Sequence, residues 1–345
     1  MIRFNNDYNH GAHPEILKAL QETNTESYGG YSRDPWCEKA REAIRQHLNG
    51  ADVDIHFMIG GTQVNAIALS AFLRPYQSII SATNGHINLH EAGAIEHTGH
   101  KIVALPAVDG KLTADLIAAE AQAYHDSGCP EYMTEPKLVF LSSPSEYGTT
   151  YTKAELEDIR QVCDQYGLYL YLDGARLGYW LSASDCDVTL ADLARLTDAF
   201  YIGGTKCGCL MGEALVIVNP ELRHGFWTAT KQSGGVLAKG WLLGLQFYTL
   251  FKDDLYFSIT RQADELATQI ETAFVNAGLS MYTKNTTNQK FVILSNEQAE
   301  YLGKSYIFEF DHKVDDEHIC VRFCTSWSTE TTEVQQLVKD IGIMK

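Results

Sequence analysis

The stretch Ala199–Val218, AFYIGGTKCGCLMGEALVIV, sets the reading of the whole chain. Its two apolar runs, Ala199–Ile202 and Ala214–Val218, are short enough for buried strands, and the glycines between them mark a turn. One lysine, Lys206, stands in that turn among Gly203, Gly204, Thr205, Cys207 and Gly208. Small neighbours let a planar ligand approach the backbone, and the lysine brings a flexible primary amine to the same place. The plainer alternative is a solvent-facing lysine in a hairpin loop. The rest of the chain decides between them.

Upstream of the hairpin, strand-like and helix-like segments alternate. Ile55–Gly61 (IHFMIGG) runs straight into TQVNAIALSAFL, whose apolar residues recur at helical spacing. Ser78–Ala82 reads as a strand, followed by a polar turn and a helix near Leu89–His97. Lys101–Leu105, Leu138–Leu141 and Tyr169–Leu172 read as strands, with helices over Thr113–His125 and Lys153–Tyr166. This alternation predicts an α/β fold of right-handed βαβ units, a mostly parallel central sheet covered by helices. Ligands in such sheets bind at the carboxyl ends of the strands.

Before this region lie a polar loop (Phe4–His13), a helix (Pro14–Thr23), the turn-rich Tyr28–Pro35 and an amphipathic helix (Trp36–Leu48). After the hairpin, Trp241–Phe251 and Ile259–Ala277 read as helices. Three strand-like runs follow (Lys290–Leu294, Tyr306–Phe310, Ile319–Phe323), then a last helix over Thr329–Ile341. The expected division is a large domain over 1–250, with an N-terminal loop and helix arm, and a smaller α+β domain over 251–345.

A formal charge of -17 on 345 residues excludes a general basic face for nucleic acid or anionic membrane, though not a local basic pocket. The N-terminus has no apolar signal core, and no run is long enough to cross a bilayer. Eight cysteines without CxxC pairs suit neither a disulfide framework nor a zinc site. A cytoplasmic protein with reduced thiols is the expectation.

Five features point to one chemistry. Gly60-Gly61-Thr62-Gln63 follows a strand and opens a helix, where backbone amides bind phosphate; a tight strand-to-helix turn is the alternative. Asp173 closes its strand in LYLDGAR, with Arg176 just beyond. A carboxylate there needs a partner, either a protonated pyridine nitrogen or, structurally, Arg176 or a helix N-terminus. His86 falls at a strand's carboxyl end, placed to stack on a ring and move protons, or to be a plain loop histidine. With His90 it is spaced i, i+4, but the surroundings lack HExxH and a third ligand, so no metal is expected. Arg322, in CVRFCTSW, has a planar fork for a carboxylate, from the protein or from an amino-acid substrate. With Lys206 these supply a phosphate cradle, a stacking ring, a pyridinium partner, a Schiff-base amine and a carboxylate clamp. That is the set pyridoxal 5'-phosphate uses.

On NDYNHGAHPEIL, YSRDPWCEKA, GGTQVN, NGHINLHEAGA, LDGARL, GGTKCG, KQSGG and VRFCTSW the chain resembles the L-threonine aldolase family. That family belongs to the aromatic amino acid β-eliminating lyase group of fold-type I pyridoxal phosphate enzymes. The resemblance covers nearly the whole chain. It implies phosphate binding at Gly61 and Thr62, ring stacking by His86, Asp173 on the pyridine nitrogen and Lys206 as the Schiff-base lysine. Arg176 and Arg322 would hold the substrate carboxylate. The family's N-terminal Ser-Asp-Thr is Asn6-Asp7-Tyr8 here, so Asn6 stands where a carboxylate-binding serine is usual. The family's Glu-Asn-Thr-His-Asn segment is replaced by Ser142–Thr150, SSPSEYGTT, which removes a histidine near the substrate side chain.

The implied reaction is cleavage of L-threonine, L-allo-threonine or larger β-hydroxy amino acids such as phenylserine to glycine and an aldehyde. His86, or a water it positions, is the candidate base. Rivals are β-elimination, transamination or racemisation on the same scaffold, or a catalytically idle relative, against which the intact Lys206 and Asp173 speak. The resemblance also implies a homodimer or homotetramer. A phosphate ligand from the neighbouring subunit, Lys231 or Lys239, goes with it, and apolar GWLLGLQFYTLF reads as part of the interface.

Overall fold

The alternation of strands and helices folds into one central sheet, seen in a computed structural model that describes residues 1–344. After a two-residue strand β1 (Ile2–Arg3) come β2 (Asp54–Met58), β3 (Gln77–Ala82), β4 (Lys101–Leu105) and β5 (Glu135–Ser142). Then follow β6 (Tyr169–Asp173), β7 (Ala199–Gly203) and β8 (Glu213–Ile217). β2 to β8 form a seven-stranded sheet in the order β2-β8-β7-β6-β5-β3-β4. Only β8 runs against its neighbours, β7 and β2; the other pairings are parallel. The sheet is therefore mostly parallel, with the lysine-bearing turn between β7 and β8.

Side chains alternate across the sheet with a period of two. On one face Ile80, Leu141, Leu172, Ile202 and Val216 join a core shared with the helices over Pro35–Gln46 and Trp241–Phe251. On the other, Tyr171, Tyr201, Leu215 and Ile217 pack on the helix Gly61–Phe72. The same alternation carries Asp173 and Glu213 onto this second face.

β9 (Gln289–Ser295), β10 (Tyr306–Ile307), β11 (Glu309–Lys313) and β12 (His318–Cys324) follow the long helix Leu255–Asn276. β11, β12 and β9 form an antiparallel sheet. β1 pairs in parallel with β10, and Phe4 enters the apolar core of this C-terminal unit with Phe274, Val321 and Phe323. We propose a division near residue 250, with the first residues packed on the second unit.

Two expectations change. The segment Leu89–His97 is not one helix but two short ones, His86–Leu89 and Ala94–His97. Ala92 and Gly93 take left-handed angles, φ 52 and 73, which break the helix and let Glu91 turn inward. The apolar run Trp241–Phe251 is not a surface. It is buried inside the chain against the helix Pro35–Gln46, where Gly244 sits so close that a Cβ would stand 2.6 Å from Cys37 Cα.

Candidate active site

Asp173 ends β6, and Lys206 lies in the turn after β7, the neighbouring strand. The two turns meet backbone to backbone, Gly203 N donating to Gly174 O at 2.9 Å. Only glycines permit this. A Cβ on Gly203 would stand 2.2 Å from Ala175 O, and one on Gly174 2.1 Å from Tyr201 O. Lys206 is half-buried, and its carbonyl accepts the Tyr179 hydroxyl at 2.6 Å, which holds the backbone under the amine.

Asp173 is only 5% exposed, so its charge depends on donors. Oδ1 accepts from Ala175 N at 3.0 Å and from the Tyr201 hydroxyl at 2.5 Å. Oδ2 accepts from Asn65 Nδ2 at 3.0 Å. The same Asn65 nitrogen donates to Glu91 Oε1 at 2.8 Å, and Asn65 Oδ1 accepts the Tyr171 hydroxyl at 3.0 Å. Glu91 Oε1 also meets His86 Nδ1 at 2.7 Å. A single chain of contacts thus runs Asp173–Asn65–Glu91–His86. A carboxylate on Nδ1 places the imidazole hydrogen there and leaves Nε2 free to accept. Burial pulls the His86 imidazole down, but the Glu91 hydrogen bond and the charges of Glu146 and Asp173 outweigh it and hold it above its ordinary value. Tyr171 and Tyr201 are pushed far up, by burial first and then by Asp173, so both stay neutral donors.

The helix Gly61–Phe72 begins with no side-chain cap, and its first amides have no partner within the helix. Its positive end suits an anion. The space before it is open: a Cβ on Gly60 would meet no atom within 4 Å. Behind it the fit is close, since a Cβ on Gly61 would stand 2.9 Å from the Tyr201 hydroxyl that serves Asp173. Thr62 is exposed at this end and Asn65 follows one turn on. One helix therefore offers amides for a phosphate and a side chain for the aspartate. These groups suit pyridoxal phosphate, and Lys206 follows in the turn after the strand next to that of Asp173.

The opposite wall is the N-terminal arm. Arg176, expected to hold a ligand carboxylate, gives Nε to Asp7 Oδ2 at 2.7 Å and Nη2 to Asp7 Oδ1 at 3.1 Å. Two of its three nitrogens are thus committed to the protein. Asn288 Nδ2 adds a bond to Asp7 Oδ2 at 3.0 Å. Burial pushes the Asp7 carboxyl up, but Arg176, Lys206 and Asn288 together hold it well below the carboxylate range. Arg322, on β12, donates Nη2 to Asn5 O at 3.0 Å and Nη1 to Gln289 Oε1 at 3.2 Å. Its Nε and the Gln289 Nε2 are buried without a partner. Asn6 lies between the two gripped residues, and its Oδ1 accepts from Tyr8 N at 3.0 Å. Asp7, Arg176, Arg322 and Lys206 all act on the buried Cys324 thiol.

Sequence reasoning missed Asn65, Glu91, Tyr201 and Asp7 as working parts. Asn65 carried the clearest signal: an amide on the apolar side of a helix, one turn after the Gly pair. Ser142–Thr150 contributes Glu146, whose charge reaches both His86 and Arg176 where a histidine was expected to be lost.

Sheet topology and site define a pyridoxal-phosphate-dependent lyase built on the fold-type I scaffold. The chain belongs to the beta-eliminating lyase family, whose model matches residues 10–297. It is similar to the solved structure of a Leishmania major threonine aldolase, at 42% identity and a TM-score of 0.96, covering 99% of this chain and 98% of that one. A low specificity L-threonine aldolase of Pseudomonas aeruginosa is 29% identical over 99% of this chain and 97% of its own. Aspartate aminotransferase from Thermus thermophilus shares the fold alone, at 13% identity and a TM-score of 0.73, covering 100% and 92% of the two chains.

Proposed function

We propose that this enzyme cleaves the Cα–Cβ bond of L-threonine and related L-β-hydroxy-α-amino acids, giving glycine and an aldehyde. Two observations support the reading. One is the full-length likeness to threonine aldolases. The other, which carries the substrate class, is the pair of buried, unpartnered donors, Arg322 Nε and Gln289 Nε2. An amino-acid carboxylate that reaches Arg322 would satisfy its Nε, because a buried donor is costly until an acceptor arrives. Bound pyridoxal phosphate supplies the electron sink for the pair released when the bond breaks.

The chain's own residues do the rest. Gly61 and Thr62 amides hold the phosphate, and Asp173 offers its fixed negative charge to the ring nitrogen. Arg322, with Arg176 and Asn6 beside it, orients the carboxylate so that the Cα–Cβ bond is the one activated. His86 Nε2 accepts the β-hydroxyl proton while Glu91 steadies the resulting imidazolium. Lys206 returns a proton to Cα. Incubation with L-threonine, L-allo-threonine and phenylserine is expected to yield glycine with acetaldehyde or benzaldehyde. Ammonia and a 2-oxo acid instead would refute the aldol reading.

A further inference from the structure

Glu213 opens β8, opposite Gly203 of β7 on one side and Met58 of β2 on the other. The alternation of the strand puts it on the face of Leu215 and Ile217, beside an apolar cluster that includes Tyr171 and Tyr201. It is 4% exposed. A leucine would fill that space without the cost of burying a carboxyl, so packing does not account for it. Its Oε2 accepts the Gly204 amide at 2.9 Å. The Thr205 hydroxyl also supports its charged form, while Thr205 Oγ1 accepts from Gly212 N at 3.0 Å. Both supports belong to the turn that carries Lys206.

The groups facing Glu213 come from four elements. Lys206 in the turn favours its charged form, and Asp173 at the end of β6 opposes it. Tyr171 on β6 and Tyr201 on β7, Cys207 and Cys209 in the turn, and Tyr256 on the long helix complete the shell. Each of these five is held up mainly by burial and stays uncharged. Lys206 is the basic side chain that acts on this carboxyl. Burial, with Asp173, outweighs the turn's donors and Lys206, and pushes Glu213 up to about 7.

We propose that Glu213 is a positioning residue for Lys206, a buried carboxyl under the turn that holds its backbone and favours a cationic lysine nitrogen when ionised. The proposal rests on the reading of Lys206 as the residue that carries the cofactor. Its consequence is that the charge favoured at that nitrogen in the loaded enzyme depends on whether Glu213 is ionised.

The test uses the cofactor-loaded full-length enzyme, as wild type, Glu213→Gln and Glu213→Asp, with the near-visible absorption followed against pH. Gln keeps an oxygen for the Gly204 amide but carries no charge. The midpoint of the absorption change is expected to fall by about one pH unit or more in the Gln variant, the size of effect a nearby opposite charge exerts. The Asp variant is expected to lie between. In the cofactor-free protein, infrared spectra of the wild type are expected to show the carbonyl stretch of a neutral carboxylic acid that vanishes as pH rises through neutrality. An unchanged midpoint in a Gln variant of wild-type circular dichroism and cofactor content would overturn the proposal. If the Gln variant does not fold, the absence of that stretch in the wild type would overturn it equally. A loaded wild type whose cofactor is fixed by borohydride on a lysine other than Lys206 would instead overturn the site assignment, and the proposal with it.

Discussion

Replacing Asp173 by Asn separates what its carboxylate does for the fold from what it does for the chemistry. Three donors converge on two oxygens: Ala175 N and Tyr201 on Oδ1, Asn65 on Oδ2. An asparagine offers one oxygen. Placed at Oδ1 it keeps two bonds and sets its NH2 against Asn65 Nδ2, 3.0 Å away in the native contact. The opposite placement loses both other donors. Asn65 cannot turn over to relieve the clash without giving up Tyr171 and Glu91. The cheaper placement thus loses one buried bond, about 1–3 kcal/mol, and the melting midpoint is expected to fall by a few degrees. The catalytic cost is separate, because an amide has no charge to offer a cationic ring nitrogen. Losing one preorganised electrostatic partner costs roughly 2.7–4 kcal/mol, or about 10²–10³ in kcat. Asn65→Ala is the control: it removes the same hydrogen bond and leaves the charge, so its kcat is expected to fall far less. The assay is steady-state production of acetaldehyde from L-threonine, alongside thermal melts of each variant. A folded Asp173→Asn enzyme with near wild-type kcat would refute the reasoning.

Lys206→Ala is expected to abolish turnover, and borohydride reduction of the loaded wild type to fix the cofactor on the Lys206 peptide; label elsewhere contradicts the assignment. Glu91→Gln removes one of the charges that hold His86 above its ordinary value. Since the neutral imidazole is the base, activity rises with pH through its titration, and the acid limb of the kcat/KM profile is expected to move to lower pH in this variant; an unmoved limb means that His86 is not the titrating base. Arg322→Ala is expected to raise KM for L-threonine by roughly 10–150-fold, the range for a hydrogen bond to a charged group of about 1.5–3 kcal/mol; an unchanged KM removes Arg322 from the carboxylate site. A homodimer or homotetramer is expected by light scattering, and a fully active monomer would refute it.

The architecture was largely legible because its signals are local. Short continuous apolar runs gave the strands around Asp173 and Lys206, and the glycines between β7 and β8 exposed the turn. Helical spacing placed Gly61 at a helix start. The contacts that tie these points together were not legible. Asn65 and Asp173 are 108 positions apart, and Asp7 and Arg176 are 169; no window of sequence contains both members. Arg176 shows the consequence: its residue type and position were readable, but its partner, an aspartate on the far arm, was not. The helix Trp241–Phe251 failed for a related reason. An apolar run says that a surface is covered, not by what, and here the chain covers it itself. At Ala92 the helical pattern continued straight through a left-handed turn, because a non-glycine residue gives no warning of positive φ.

The arm Ile2–Asp7 is fastened at points that lie far along the chain. Asp7 meets Asn288 across 281 positions, and Asn5 meets Arg322 across 317. At about 5–20 residues per second of synthesis, the arm waits roughly 15 to 60 seconds on the ribosome before these two anchors exist. During vectorial synthesis the hairpin of Lys206 and the turn of Asp173 are made first, and with them Arg176, so the arm can be held at Asp7 before its C-terminal anchors are made. The two termini therefore behave as the clasp of the molecule, closed last, and a nascent chain stalled before β12 presents an assembled cofactor platform beside an unfinished substrate wall.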